Sequence, residues 1–127
     1  MFANYHTHTA RCHHATGEDK AYVEAAIQNG FQVLGFSDHC PWIFSDDYVS
    51  PIRMTPDELD GYVTSLTALK KEYAADITIY IGLESEYVPE MLPEQQKFLQ
   101  DYPIDYQILG EHFLYPEQPC PHLHCMA

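Results

Sequence analysis

Four short apolar runs alternate with amphipathic stretches along this chain. Residues 2–6 form a brief apolar run that ends at His6. Thr16-x-x-Asp19 has the form of a capping box. It predicts a helix through Tyr22, Val23, Ala26 and Ile27 that stops at Asn29-Gly30, a usual C-terminal pair. Val33-Leu34-Gly35-Phe36 reads as a short buried strand ending at Asp38-His39. Residues 41–54 read as a long irregular loop holding Trp42, Pro51 and Arg53; loops of this length often act as lids. Thr55-Pro56-Asp57-Glu58 then offers a Thr N-cap, a Pro in the first turn and a Glu at the third position, which together start a helix. Leu59, Tyr62, Val63, Leu66 and Leu69 follow the helical period, with Lys70 and Lys71 at the dipole's negative end. The whole stripe reads as packing. Ile77, Ile79 and Ile81 alternate into a third strand ending at Gly82-Leu83-Glu84. Residues 91–101 predict another helix, and Tyr106–Leu109 a fourth strand ending at Gly110-Glu111-His112.

Strands joined by helices imply a parallel sheet in an α/β protein. Sites in such folds lie at the C-terminal edge of the strands. The residues found at that edge are His6-Thr7-His8, His14, Asp38-His39, Glu84 and Glu111-His112. Imidazole and carboxylate are the ligands that zinc, iron and manganese take. Positions i and i+2 of a strand share a face, so His6 and His8 can grip one ion. Asp38 reads either as a group orienting a neighbouring imidazole or as an exposed strand-end carboxylate. Arg53 reads as a phosphate anchor or a solvated loop residue, and Trp42 as a cover for a substrate ring or for the mouth of the fold. Glu86 shares a face with Glu84 and reads as a supporting group, not a ligand.

Composition narrows the partners. The chain has 127 residues, 46% of them hydrophobic, with a net charge of −13 and six Lys plus Arg. That size suits one domain, and that charge argues against nucleic acid and anionic membranes. A phosphorylated substrate would be repelled unless bound cations reversed the local field. No apolar run is long enough to span a membrane, and the N-terminus lacks the signal-peptide pattern. A cytoplasmic location is expected. The four cysteines, Cys12, Cys40, Cys120 and Cys125, are expected as reduced thiols. Cys120, His122, His124 and Cys125 are soft ligands in the tail. They could close a structural zinc site, belong to an irregular tail, or let His122-x-His124 serve the main site.

These motifs resemble the polymerase-and-histidinol-phosphatase (PHP) superfamily, in its monofunctional histidinol-phosphatase branch. The resemblance rests on His6-Thr7-His8-Thr9, Cys12-His13-His14-Ala15, Phe36-Ser37-Asp38-His39 and Met54-Thr55-Pro56-Asp57-Glu58-Leu59. It also rests on Gly82-Leu83-Glu84-Ser85-Glu86-Tyr87 and Ile108-Leu109-Gly110-Glu111-His112-Phe113. It runs nearly continuously over residues 1–115, leaving 116–127 as a divergent tail expected to be irregular. It implies the N-terminal portion, about four βα units, of a distorted (βα)7 TIM-like barrel. It implies hydrolysis of histidinol phosphate to histidinol and phosphate, with up to three divalent ions (zinc, manganese or iron). His6 and His8 would hold the first metal, Glu84 would bridge first and second, His112 would hold the second, and His14 and His39 the third. Glu84, His112 and Asp38 would serve catalysis; His13 does not match a ligand position.

A full barrel takes about 250 residues. The family's remaining ligands, a histidine after the fourth strand and an Asp-x-His pair, come from later strands that this chain does not hold. On the resemblance, all three implied sites are therefore expected to lack a ligand within these 127 residues. The expected partners are a small phosphorylated substrate and, through open sheet edges, either a second copy or a complementing C-terminal barrel fragment. Two other readings compete: a nuclease or proofreading module, which the charge opposes, and a metal-binding fragment without catalysis.

Overall fold

The computed structural model describes residues 2–12, 17–42, 53–86, 89 and 91–110. Strands β1 (Phe2–Thr7), β2 (Phe31–His39), β3 (Thr78–Ser85) and β4 (Tyr106–Leu109) alternate with helices α1 (Asp19–Gln28), α2 (Glu58–Glu72) and α3 (Leu92–Leu99). The strands form one curled sheet in the order β1-β2-β3-β4, and all pairings are parallel. The alternating pattern implies the parallel sheet, and the family resemblance implies its half-barrel form. The structure adds a 3-10 turn at Ala10–Cys12, which hydropathy does not signal. The tail at 116–127 lies outside the described residues, as does most of the expected loop after β2.

Helix ends show where local chemistry held. α1 stops as expected: Asn29 N–H donates to the Ala25 carbonyl and Gly30 N–H to that of Ile27, both at 3.1 Å. Its start differs from the expected capping box. The N-cap position is Glu18, with no side-chain cap, and Asp19 turns its carboxylate to Arg11 and Ser65 instead. A charged partner and a hydroxyl from α2 outcompete the local backbone for that carboxylate. At α2 the helix starts at Glu58, later than Thr55 as N-cap would place it. Half of the box survives, since Thr55 N–H donates to the Glu58 carboxylate at 3.0 Å.

One face of the sheet carries the core. Leu34 and Phe36 of β2 and Ile79, Ile81 and Leu83 of β3 pack against the apolar stripes of the helices. β2 is longer than its apolar run, because residues 37–39 also stay in the ladder with β3. Side chains alternate across a strand, so Gly35, Ser37 and His39 share the opposite, inner face with Gly82 and Glu84.

Tyrosines line the inner face. Tyr106 of β4 lies across β3 and β2, and its hydroxyl donates to the Tyr5 carbonyl of β1 at 2.7 Å. Tyr5 stacks on Tyr80 with ring centroids 6.3 Å apart and meets Tyr106 edge-on at 6.0 Å. The Tyr106 ring can lie flat because Gly35 and Gly82 are beneath it. A Cβ at Gly82 would stand 2.5 Å from two ring carbons, inside any allowed contact. Gly82→Ala is therefore expected to lift the ring and break its bond to β1, at about 1–3 kcal/mol, the usual cost of overpacking. Urea unfolding checks this; an unchanged midpoint would show that the ring moves aside without cost.

Candidate metal centre

The C-terminal edges of β1, β2 and β3 converge on Glu84. His39 and Glu84 are register partners across β2 and β3. His39 Nδ1 stands 3.0 Å from Glu84 Oε2, both side chains being buried. From the other side, His6 Nε2 stands 2.5 Å from Glu84 Oε1, and His8 Nε2 stands 3.9 Å from it. The β1–β2 register shifts between Asn4 and Thr7. Such irregularities re-aim side chains beside functional sites, and here the Nε2 atoms of His6 and His8 come within 3.0 Å.

Asp38 braces this arrangement from behind. It is fully buried. Its carboxylate accepts from Thr9 N–H at 3.0 Å, from the Thr9 hydroxyl, from His39 N–H at 2.8 Å and from His8 Nδ1 at 3.2 Å. Burial pushes its pKa upward, but the bonds from His8, Thr9 and His39 outweigh this and hold it below the usual carboxylate value. The hydrogen bond to Asp38 raises the His8 pKa above its ordinary value, against the opposing pull of burial. An ionised carboxylate only accepts, so Nδ1 of His8 carries a proton and Nε2 is the atom turned toward Glu84. Of the two readings of Asp38, the exposed carboxylate is overturned.

These donors suit a divalent cation. One ligand atom each from His6, His8 and Glu84 lies within 4.8 Å of the others. Two imidazole nitrogens 3.0 Å apart beside a buried carboxylate need a proton or a cation among them. Nitrogen and carboxylate oxygen are what zinc takes. A second grouping, His8, Cys12 and Asp38, is equally close. There, however, both Asp38 oxygens are already engaged and the Cys12 thiol donates to the Thr9 carbonyl at 3.2 Å, so it is a scaffold rather than a socket.

His6, His8, His39, Glu84 and Asp38 are thus brought together. His14 and His112, with His13 and the Cys120–Cys125 tail, lie outside the described residues. Arg53 is not a solvated loop residue. It is 1% exposed, and its guanidinium bonds the Glu86 carboxylate at 2.7 Å and the Cys40 carbonyl at 3.1 Å. An acidic residue at 86 and a cation at 53 satisfy each other once both leave water. Trp42 is also buried rather than displayed. Cys12 and Cys40 are both buried, and burial pushes the Cys40 pKa up to about 12.

Two contributors were not legible as functional. Tyr62 sits in the stripe read as packing alone, yet its hydroxyl donates to the Gly82 carbonyl at 2.6 Å and accepts from Asp38 N–H at 3.3 Å. A lone hydroxyl in an otherwise aliphatic stripe was the available signal. Gly110 lies against Glu84: a Cβ there would stand 2.9 Å from the carboxylate carbon. Nothing local to residue 110 announces that.

A curled parallel sheet with imidazoles and a carboxylate gathered at its C-terminal edge defines a TIM-like half-barrel that carries a candidate metal site. Residues 4–124 match the PHP domain, and the chain belongs to that family. It is 34% identical over 115 residues to the histidinol-phosphatase of Bacillus subtilis, covering 86% of this chain and 43% of that protein. A crystal structure of a candidate histidinol phosphatase from Listeria monocytogenes superposes with a TM-score of 0.74 at 30% identity, over 88% of this chain and 45% of that one. The histidinol phosphate phosphatase of Lactococcus lactis, solved with zinc, L-histidinol and phosphate, gives a TM-score of 0.73 at 24% identity, over 89% of this chain and 41% of that one. That last likeness speaks to the fold. The chain spans less than half the length of each of these proteins. Among the described residues, no helix is long and apolar enough to cross a membrane.

Proposed function

We propose that this chain carries the N-terminal metal-binding part of a phosphomonoesterase that releases phosphate from histidinol phosphate. One observation carries the reading: a buried carboxylate, Glu84, stands between His6 and His8 on one side and His39 on the other, at the edge where parallel folds build their sites. His6, His8 and Glu84 would hold a divalent ion, zinc being the first candidate and manganese or iron the others. His39 approaches the second oxygen of Glu84 and would serve a neighbouring ion. His14 and His112 join the ligand set on their motifs alone. Divalent ions in such a place offset charge on phosphoryl oxygens and make water a stronger acid.

The chain's own residues divide the remaining tasks. Asp38 fixes the His8 tautomer and ring orientation, and Thr9 and His39 N–H fix Asp38. Burial of Glu84 and His39 keeps their polar atoms in a medium of low dielectric, where charge interactions are stronger than in water. The net charge of −13 opposes an incoming phosphate, so binding of the substrate should depend on cations already in place.

The sheet's geometry favours a dependence on further polypeptide. Tyr5 and Tyr80 are exposed on the inner face, and Leu109 on β4 is 69% exposed. A complementary barrel half would cover that face and pair the β1 and β4 edges; a second copy is the alternative occupant. The test measures phosphate release from histidinol phosphate with added zinc or manganese. The chain would be assayed alone and with the C-terminal part of the Bacillus relative. Slow or absent turnover alone, restored by the complement, is the expected outcome. Rapid turnover by the chain alone would refute the dependence. Metal binding with no turnover in either case would establish a binding role without catalysis.

A further inference from the structure

Arg53 and Glu86 form an ion pair that the proposed chemistry does not use, although it lies next to the ligand-bearing strand ends. Cys40 directly follows His39, and Glu86 lies two residues beyond Glu84. Between them runs the last rung of the β2–β3 tie, Cys40 N–H to the Glu84 carbonyl at 2.8 Å. Beyond that rung the strands separate, and the Cys40 carbonyl needs a donor of its own. Arg53 supplies it with one guanidinium nitrogen at 3.1 Å, while the other nitrogen holds Glu86 at 2.7 Å. All of these groups are buried. On α3, Gln95 adds a weaker tie, its amide reaching the Cys40 sulfur at 3.1 Å and its carbonyl oxygen accepting from the Ser85 hydroxyl at 3.3 Å.

We propose that Arg53 is a positioning residue that staples the C-terminal ends of β2 and β3 together and so sets the spacing of His39 and Glu84. The consequence for metal rests on the ligand reading given above; the staple itself does not. A planar guanidinium presents several donors in a fixed fork and can hold two acceptors at once. A lysine keeps the charge but ends in one compact ammonium, and cannot span both in the same geometry. The effect on the site is indirect, because neither Arg53 nor Glu86 is itself a proposed ligand.

Arg53→Lys is the informative variant, since it leaves Glu86 a counter-charge and preserves the fold. Arg53→Met/Glu86→Met, which removes both charges together, is the second. Two readouts are needed on the 127-residue chain. The first is hydrogen exchange of the Cys40 amide without metal, expected to be about tenfold faster in both variants, in keeping with easier local opening. The second is titration with cobalt(II) as a spectroscopic probe. Affinity should fall by about 10–100-fold, the usual effect of removing support behind a metal ligand. The visible bands at saturation should also shift, which loss of global stability alone would not produce. Unchanged Cys40 exchange in Arg53→Lys would overturn the staple. Faster exchange with unchanged cobalt affinity and spectrum would overturn its role at the site. If the unmodified chain takes up no cobalt, the ligand reading fails, and Cys40 exchange alone decides the staple.

Discussion

Glu84→Ala is expected to lower the zinc affinity of the chain by at least about 100-fold, more than the loss of a supporting group alone would cause. Glu84 is the only carboxylate placed between both sets of imidazoles among the described residues. Removing it leaves no carboxylate beside the Nε2 atoms of His6 and His8, and a dication held by neutral nitrogens alone keeps its full charge in a half-buried place. His6→Ala/His8→Ala should act in the same direction. Glu72→Ala, on the exposed end of α2, should change nothing at the site. Competition against a chromophoric chelator, with elemental analysis of the dialysed protein, measures all three. Equal zinc content in Glu84→Ala and the unmodified chain would remove Glu84 from the ligand set.

The largest effect on stability is expected at Asp38. Asp38→Ala strands four donors: Thr9 N–H, the Thr9 hydroxyl, His39 N–H and His8 Nδ1–H. Thr9 is itself fully buried, so water does not readily replace the lost acceptor. Breaking a buried charged network from one side costs about 3–5 kcal/mol, a large part of what a domain of this size has to spare. Tyr62→Phe removes one hydroxyl from the same network and should cost about 1 kcal/mol. Urea unfolding of the metal-free proteins separates the two. If Asp38→Ala unfolds with the same midpoint as Tyr62→Phe, the stranded donors have found other partners and Asp38 is not the brace described.

Most of the element order could be read from the chain because it depends on local physics. A period of two produced β3, a period of 3.6 produced α2, and Asn29-Gly30 ended α1, each from contacts within a few residues. The candidate ligands were legible for the same reason: they follow directly on apolar runs, and a strand end in a parallel sheet is where such groups collect. Family motifs added the grouping of those residues, and the PHP domain match places the chain in that family.

What stayed hidden depends on residues far apart in sequence. Thr16 and Asp19 had the form of a cap, but Arg11 and Ser65 offered Asp19 stronger partners once the helices packed. Arg53 reads as a phosphate anchor or a solvated loop residue, the usual fate of a surface charge; the carboxylate that holds it is 33 positions away. Tyr62 read as packing until folding set its hydroxyl between β2 and β3. By itself the sequence determined the strands, the helices and, among the described residues, which candidate ligands stand at the C-terminal edge of the sheet. Only the tertiary structure decided the register that pairs His39 with Glu84, the buried network that orients His8 and the staple behind both. Periodicity reports which face of an element is apolar. Which polar groups meet once that face is buried is settled by long-range packing, because each buried donor takes the best acceptor within reach.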